Sequence, residues 1–292
     1  MKKLLIVFML LIGNCSFADV NAVATTTIIY DLVKNIGKDK VDVDYLCRGN
    51  QDPHFLEVMP SYMLKLRKAD LIFKVGLDLE KWLPQLIDGS RNTNIEVIDL
   101  SQDIDKKEVP TTKMDARYGD VHPYGNPHYY LDPLDVKIMV KEIYNALVTH
   151  DPENTGYYEN NYNDYTKLLD KKISEWENKM TKAKGKPIVF FHSSWTYFAE
   201  QYGIKIAGYV EPKPGIPPTP SHNAEVINLI KKGKVKIIVM ENYYSDSAPN
   251  QIARITGVKV IKVPVGVYGK DGINSYFDMM DYVVEEIVNN IQ

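Results

Sequence analysis

The residues with the most chemistry to offer are six histidines: His54, His122, His128, His150, His192 and His222. Three of them stand in restricted settings. His54 closes Asp52-Pro53-His54, His128 closes Asn126-Pro127-His128, and His192 directly follows the apolar run Ile188-Val189-Phe190-Phe191. Proline fixes its own φ and has no backbone donor, so it stiffens the approach to His54 and to His128. A ring held at a fixed angle is what metal coordination demands. Taken singly, a loop histidine is more often a surface or hydrogen-bonded residue, so only the constellation argues for a site.

The elements that must position these rings follow from the apolar periodicity. Short β-branched runs at 24–27, 41–47, 71–75, 96–98, 188–191, 205–210, 236–240 and 258–263 read as strands. Amphipathic stretches at 60–68, 79–87, 195–202 and 224–232 lie between them. Strand and helix in alternation predict an α/β fold with parallel sheets flanked by helices. In such sheets, ligands sit in the crevice beyond the carboxyl ends of the strands. His54 and His192 take such positions in opposite halves of the chain, so each is expected to face a cleft between two lobes.

The alternation breaks once, from about 152 to 184, where Leu168, Leu169, Ile173, Trp176 and Met180 give one apolar helical face. Asp151-Pro152 is a good start for a helix, and Gly185 with Pro187 a good stop. A helix of about 30 residues would run about 45 Å. The expected organisation is a signal segment at 1–18, an N-terminal α/β lobe at 19–150, a rigid connecting helix at 151–185 and a C-terminal α/β lobe at 186–292.

The first eighteen residues are set apart. Lys2 and Lys3 precede an apolar run from Leu4 to Ile12, and Ser16-Phe17-Ala18 offers small residues for cleavage before Asp19. The apolar run falls short of the roughly 20 residues of a spanning helix. Export to the periplasm is expected, with lipid anchoring at Cys15 as the alternative. Either route leaves Cys47 as the only thiol, so no intrachain disulfide and no cysteine-rich zinc site is available. The net charge of −3 gives no reason to expect nucleic acid as a partner. A monomer is expected.

The order of motifs along the chain resembles the zinc and manganese solute-binding receptors of bacterial ABC transporters. Gly49-Asn50-Gln51-Asp52-Pro53-His54 opens the match, followed by Pro60-Ser61, Lys68-Ala69-Asp70-Leu71-Ile72, Gly76 and Leu79-Glu80-Lys81-Trp82-Leu83. Asn126-Pro127-His128-Tyr129-Tyr130-Leu131-Asp132-Pro133, Phe191-His192 with Tyr197-Phe198-Ala199, and Ser275-Tyr276 with Met279-Met280 continue it. The resemblance covers nearly all the mature chain. It implies that His54, His128 and His192 bind the ion, and that the loaded protein docks on a membrane permease driven by an ATPase.

One departure stands out. The family commonly supplies a late aspartate as fourth ligand, but the corresponding Pro264-Val265-Gly266-Val267-Tyr268 has no carboxylate. Glu241, at the end of a strand, and a water are the two candidates for that position. In the family's manganese receptors a carboxylate often replaces the third histidine. Here His192 keeps three imidazoles, which suit zinc better than manganese. Zinc is therefore the expected cargo, and Mn2+ the alternative.

His122 reads as a transient recruiter of metal or as an ordinary loop residue. Asp246 reads as a helix cap, and His150 and His222 as structural or solvated. The segment from Glu211 to Pro218 reads as a stiff strip that lines the cleft or leads into a helix capped near Ser221. A three-histidine zinc hydrolase is the rival reading, though no His-Glu-x-x-His run is present. A surface adhesin is a further alternative, with no host-binding patch encoded. An enzyme is not expected.

Overall fold

The structure, a computed structural model, describes residues 20–112, 119 and 122–291. The expected signal segment and Cys15 lie outside the described residues. In the N-terminal half, β1 (Val20–Thr26), β2 (Val41–Cys47), β3 (Leu71–Lys74) and β4 (Glu96–Asp99) pair in parallel in the order β2-β1-β3-β4. In the C-terminal half, β5 (Pro187–Phe190), β6 (Lys205–Tyr209), β7 (Ile237–Glu241) and β8 (Lys259–Val263) repeat that order as β6-β5-β7-β8. Both sheets reverse their winding between the first and third strands, where the crevice of an α/β sheet opens. Every residue of β7 is buried, as expected for a parallel strand covered on both faces.

Helices α1 (Thr27–Gly37), α2 (Pro60–Lys68), α3 (Leu83–Ser90) and α4 (Pro133–His150) serve the first half. The long α5 (Thr155–Met180) follows, then α6 (Thr196–Gln201), α7 (Pro220–Gly233), α8 (Ser247–Thr256) and α9 (Tyr276–Asn290). The expected strands are all present, with shifted ends. Thr27 belongs to α1 rather than β1, because the Thr26 hydroxyl accepts the Ile29 amide and starts the helix there. α3 begins at Leu83, not near 79. The residues before it are drawn into a tight turn in which Gly76, Leu77 and Asp78 all have positive φ. The buried Glu80 holds this turn by accepting the Val75 amide at 2.7 Å, the Gly76 amide at 3.0 Å and the Thr25 hydroxyl at 2.6 Å. α7 starts at Pro220 and is capped by Thr219 rather than Ser221. Asp246 does precede α8, but its side chain makes no capping bond.

α5 is 26 residues long, somewhat shorter than the sequence suggests, because Pro152–Asn154 form a separate 3-10 turn. It is more than a strut. Asn161 Nδ2 donates to the Ile36 carbonyl of α1 at 2.9 Å. Further along, Trp176 Nε1 donates to Asp281 of α9 at 2.8 Å, and Lys172 reaches the same carboxylate at 2.6 Å. Ile36 of α1, Val140 of α4, Trp176 of α5 and Val284 of α9 are fully buried members of one apolar cluster that also contains Phe73 and Phe190 from the two sheets. One apolar cluster thus runs through both halves, with a smaller one in each half beside it. Each such side chain contributes about 1.5–3 kcal/mol by leaving water.

The halves also touch backbone to backbone. A Cβ on Gly49, after β2, would stand 2.0 Å from the Val267 carbonyl oxygen, and one on Gly266 would stand 2.7 Å from the Gly49 Cα. Only glycine permits that approach.

Candidate metal centre

Each of the three motif histidines is pinned from behind. His54 lies in the loop after β2, where Trp82 Nε1 donates to the Pro53 carbonyl at 2.8 Å. The Asp52 carboxylate accepts the His54 amide at 3.0 Å and its Nδ1–H at 2.6 Å. His128 opens a 3-10 turn, His128–Leu131, whose Tyr129 hydroxyl donates to the Val75 carbonyl at 2.6 Å. Asp132 closes that turn and caps α4 through the Leu134 amide. Asn126 Oδ1 accepts the His128 amide at 3.0 Å and its Nδ1–H at 2.9 Å. The Asn126 amide group donates to Glu108 and to the Ser193 carbonyl, each at 2.8 Å, so its oxygen is left to face the imidazole. His192, in extended backbone beyond β5, donates Nδ1–H to Glu211 Oε2 at 2.6 Å.

This arrangement fixes the tautomer three times over. With Nδ1 carrying the proton, the lone pair sits on Nε2. Nε2 of His54 and of His128 is buried with no hydrogen-bond partner in the protein. The three residues offer donor atoms that all lie within 4.8 Å of one another, and all three residues are buried. Their ring centroids are separated by 5.1, 5.3 and 5.4 Å. Imidazoles bound tetrahedrally at about 2.0–2.1 Å would place their centroids about 5.2 Å apart. The spacing fits one ion shared by three rings.

The local electrostatics are uneven. Burial holds His128 well below the ordinary imidazole value of 6.5, and the neighbouring rings of His54, His192 and His122 push the same way. Burial also works against protonating His192, but Glu211, Glu241 and Asp52 together outweigh it and raise its value. Asp52 stays below the ordinary carboxyl range despite burial, because of its bond to His54. Burial pushes Glu241 up to about 7.

The other expected residues are spread around this centre. Glu241 ends β7 and is fully buried, but it is not a member of the group of donors within 4.8 Å. Its Oε1 accepts from Ser194 Oγ at 2.7 Å and Trp195 Nε1 at 2.9 Å. His122 is buried, its ring 5.3 Å from that of His54 and 6.3 Å from that of His128. His222 is far from the site in role: its Nε2 meets the Tyr209 carbonyl at 3.1 Å. His150 ends α4 on the exposed surface. Glu211, Pro212, Lys213 and Pro214 line a cleft of about 240 Å³ beside His122 and His128.

Sequence reasoning did not assign Asp52, Asn126 and Glu211 their orienting roles. A signal for two of them was present. Both Pro-His pairs are preceded by Asp or Asn, whose short side chain bonds its own backbone two residues on.

A family model described as zinc-uptake complex component A, periplasmic (ZnuA), matches residues 22–290. The chain belongs to the ZnuA family. It is therefore a solute-binding receptor of a metal ABC transporter and not an enzyme, which sets aside the hydrolase reading. Among curated relatives of this receptor, the manganese ABC transporter substrate-binding lipoprotein PsaA of Streptococcus anginosus is 29% identical over 280 residues, covering 92% of this chain and 88% of PsaA. A crystal structure of ZnuA superimposes with a TM-score of 0.80 at 23% identity, covering 94% of this receptor and 99% of that chain. A manganese-bound periplasmic metal-binding protein from Candidatus Liberibacter asiaticus gives a TM-score of 0.78 at 26% identity, covering 92% and 98%. The two-lobe α/β fold of this receptor is that of the ZnuA structures. No helix among its described residues is long and apolar enough to cross a membrane.

Proposed function

We propose that this receptor carries zinc, gripping one ion through Nε2 of His54, His128 and His192 and presenting it to the permease and ATPase of an importer. The observation that carries this reading is the donor set. Three Nδ1-anchored imidazoles converge, and among the described residues no carboxylate belongs to the group. Nitrogen donors favour zinc, whereas manganese prefers oxygen. Glu241, at the end of β7 beside His192, and a water are the two candidates for the fourth corner. Export through residues 1–18 places the receptor in the periplasm, with attachment through a lipid on Cys15 as the second route.

The rival is a manganese receptor of the same architecture. The name of PsaA and the ion in the Candidatus Liberibacter asiaticus structure favour it. Equilibrating metal-free protein with equal zinc and manganese, then measuring the bound metal, separates the two. Zinc occupancy in large excess is the expected result; predominant manganese would overturn the assignment.

A further inference from the structure

We propose that Glu80 is a positioning residue for two of the three metal ligands, His54 and His128, which it holds through one strained turn after β3. This deepens the three-histidine reading and rests on it. Glu80 is only 5% exposed, and a buried carboxylate has to be compensated by donors. Both of its oxygens are spent on one stretch of chain. Oε1 accepts the Val75 amide at 2.7 Å and the Thr25 hydroxyl at 2.6 Å, and Oε2 accepts the Gly76 amide at 3.0 Å. The residues that follow, Gly76, Leu77 and Asp78, have φ of 85°, 53° and 64°. Glycine takes such angles freely, but leucine and aspartate do not. The turn therefore persists only because its surroundings over-determine it.

The two ends of this turn carry the supports of two metal ligands. At one end, the Val75 carbonyl accepts the Tyr129 hydroxyl at 2.6 Å, and Tyr129 directly follows His128. At the other, Trp82 Nε1 donates to the Pro53 carbonyl at 2.8 Å, and Pro53 directly precedes His54. Both contacts are buried. Between them, the Glu80 carbonyl accepts the Leu83 amide at 3.0 Å, which closes the chain around Trp82. The turn thus sets where Val75 stands relative to Trp82. Through them it sets the offset between the two rings, whose centroids are 5.1 Å apart.

His192 has a separate support. Its partner Glu211 is tied to its own half, where the Glu211 amide donates to the Phe191 carbonyl at 3.0 Å. The N-terminal half therefore presents two rings as a preset pair, and the C-terminal half adds the third. A preset pair gives up less conformational freedom when the ion binds, which raises affinity.

Glu80→Gln keeps the size of the side chain but turns an amide donor toward the Gly76 amide or toward Val75 and Thr25, so the turn loses at least one tie. Proton–nitrogen correlation spectra of the histidine rings, recorded on the full receptor without metal and then during a zinc titration, read each ring separately. In Glu80→Gln the ring signals of His54 and His128 are expected to move while those of His192 stay. Zinc affinity is expected to fall by about tenfold, the low end for groups that orient metal ligands. Thr25→Val removes one donor to Glu80 and leaves both backbone bonds, so it is expected to move the same two rings by less. It carries the test should Glu80→Gln fail to fold. Unmoved His54 and His128 rings in the folded variants, or equal movement of all three rings, would overturn the Glu80 assignment and leave the three-histidine receptor standing. Zinc that leaves any of the three rings unmoved in the unaltered protein would bring down the three-histidine reading itself.

Discussion

Glu211 Oε2 lies 2.6 Å from His192 Nδ1, and both side chains are buried. A carboxylate from the segment after β6 thus sets the ring angle of a histidine at the end of β5. Glu211→Gln keeps an acceptor but removes the charge, so we expect metal affinity to fall by about 10- to 100-fold. Chelator competition measures this, and an unchanged affinity would show that the contact is incidental.

Removing any ring of the triad should cost more than removing its anchor. We expect His54→Ala, His128→Ala and His192→Ala each to weaken zinc binding by more than about 100-fold, while His222→Ala, outside the converging group, leaves it within about twofold. Isothermal titration of metal-free protein supplies the comparison. Full affinity in all three triad variants would end the assignment.

Acid should compete with metal chiefly at His192. Its value is raised above 6.5, so it takes up a proton first as pH falls, whereas His128 is held well below 6.5 and stays neutral. Binding must expel the proton from His192. Apparent affinity is therefore expected to begin falling at a pH above 6.5, steepening towards about tenfold per unit as pH drops further. A flat affinity between pH 8 and pH 5, on the order of those limits, would contradict the protonation order.

Stability should respond to pH through Asp31, which accepts the Tyr276 amide at 2.9 Å and joins α1 to α9. Burial raises its pKa from 3.8 to about 6. A raised carboxyl binds its proton more tightly when folded, so its stabilising share is complete below 3.8 and is lost as pH rises through about 6. Asp31→Asn does not titrate. Relative to the unaltered chain it should gain up to about 3 kcal/mol between those limits, an upper bound from the size of the shift. Urea unfolding of metal-free protein on either side of the window tests this; a difference independent of pH would refute it.

The glycine contact between lobes predicts a mechanical effect. A Cβ at Gly49 would fall 2.0 Å from the Val267 carbonyl oxygen, and that neighbour is backbone. Gly49→Ala should cost about 1–3 kcal/mol and hold the lobes apart locally. Thermal unfolding with and without zinc should show a lower midpoint in both states. An unchanged midpoint would mean that the contact yields freely.

Much of this was legible in the sequence. Runs of β-branched residues located the strands, of which β7 is buried throughout, and a period-3.6 apolar face located the long helix. The points where helices begin were harder. α1 follows β1 with no intervening turn, so its start depends on the Thr26 cap rather than on a change of composition. α3 was misplaced because Glu80 bends the chain before it through a buried polar contact with Thr25 of β1, which periodicity does not register.

The sequence by itself determined the residue types and their stiffened settings: two Asx-Pro-His turns and a histidine at a strand end. These are local properties, fixed within a few residues by proline and by short side chains that bond their own backbone. Only the tertiary structure decided that the three rings share one point and that Glu211 pins the third. The tertiary structure also placed His122 near the rings, with Glu241 held aside by Ser194 and Trp195. Those are relations between residues far apart in the chain, set by how two sheets and the helices α1, α4, α5 and α9 pack into one core, and no local pattern encodes them.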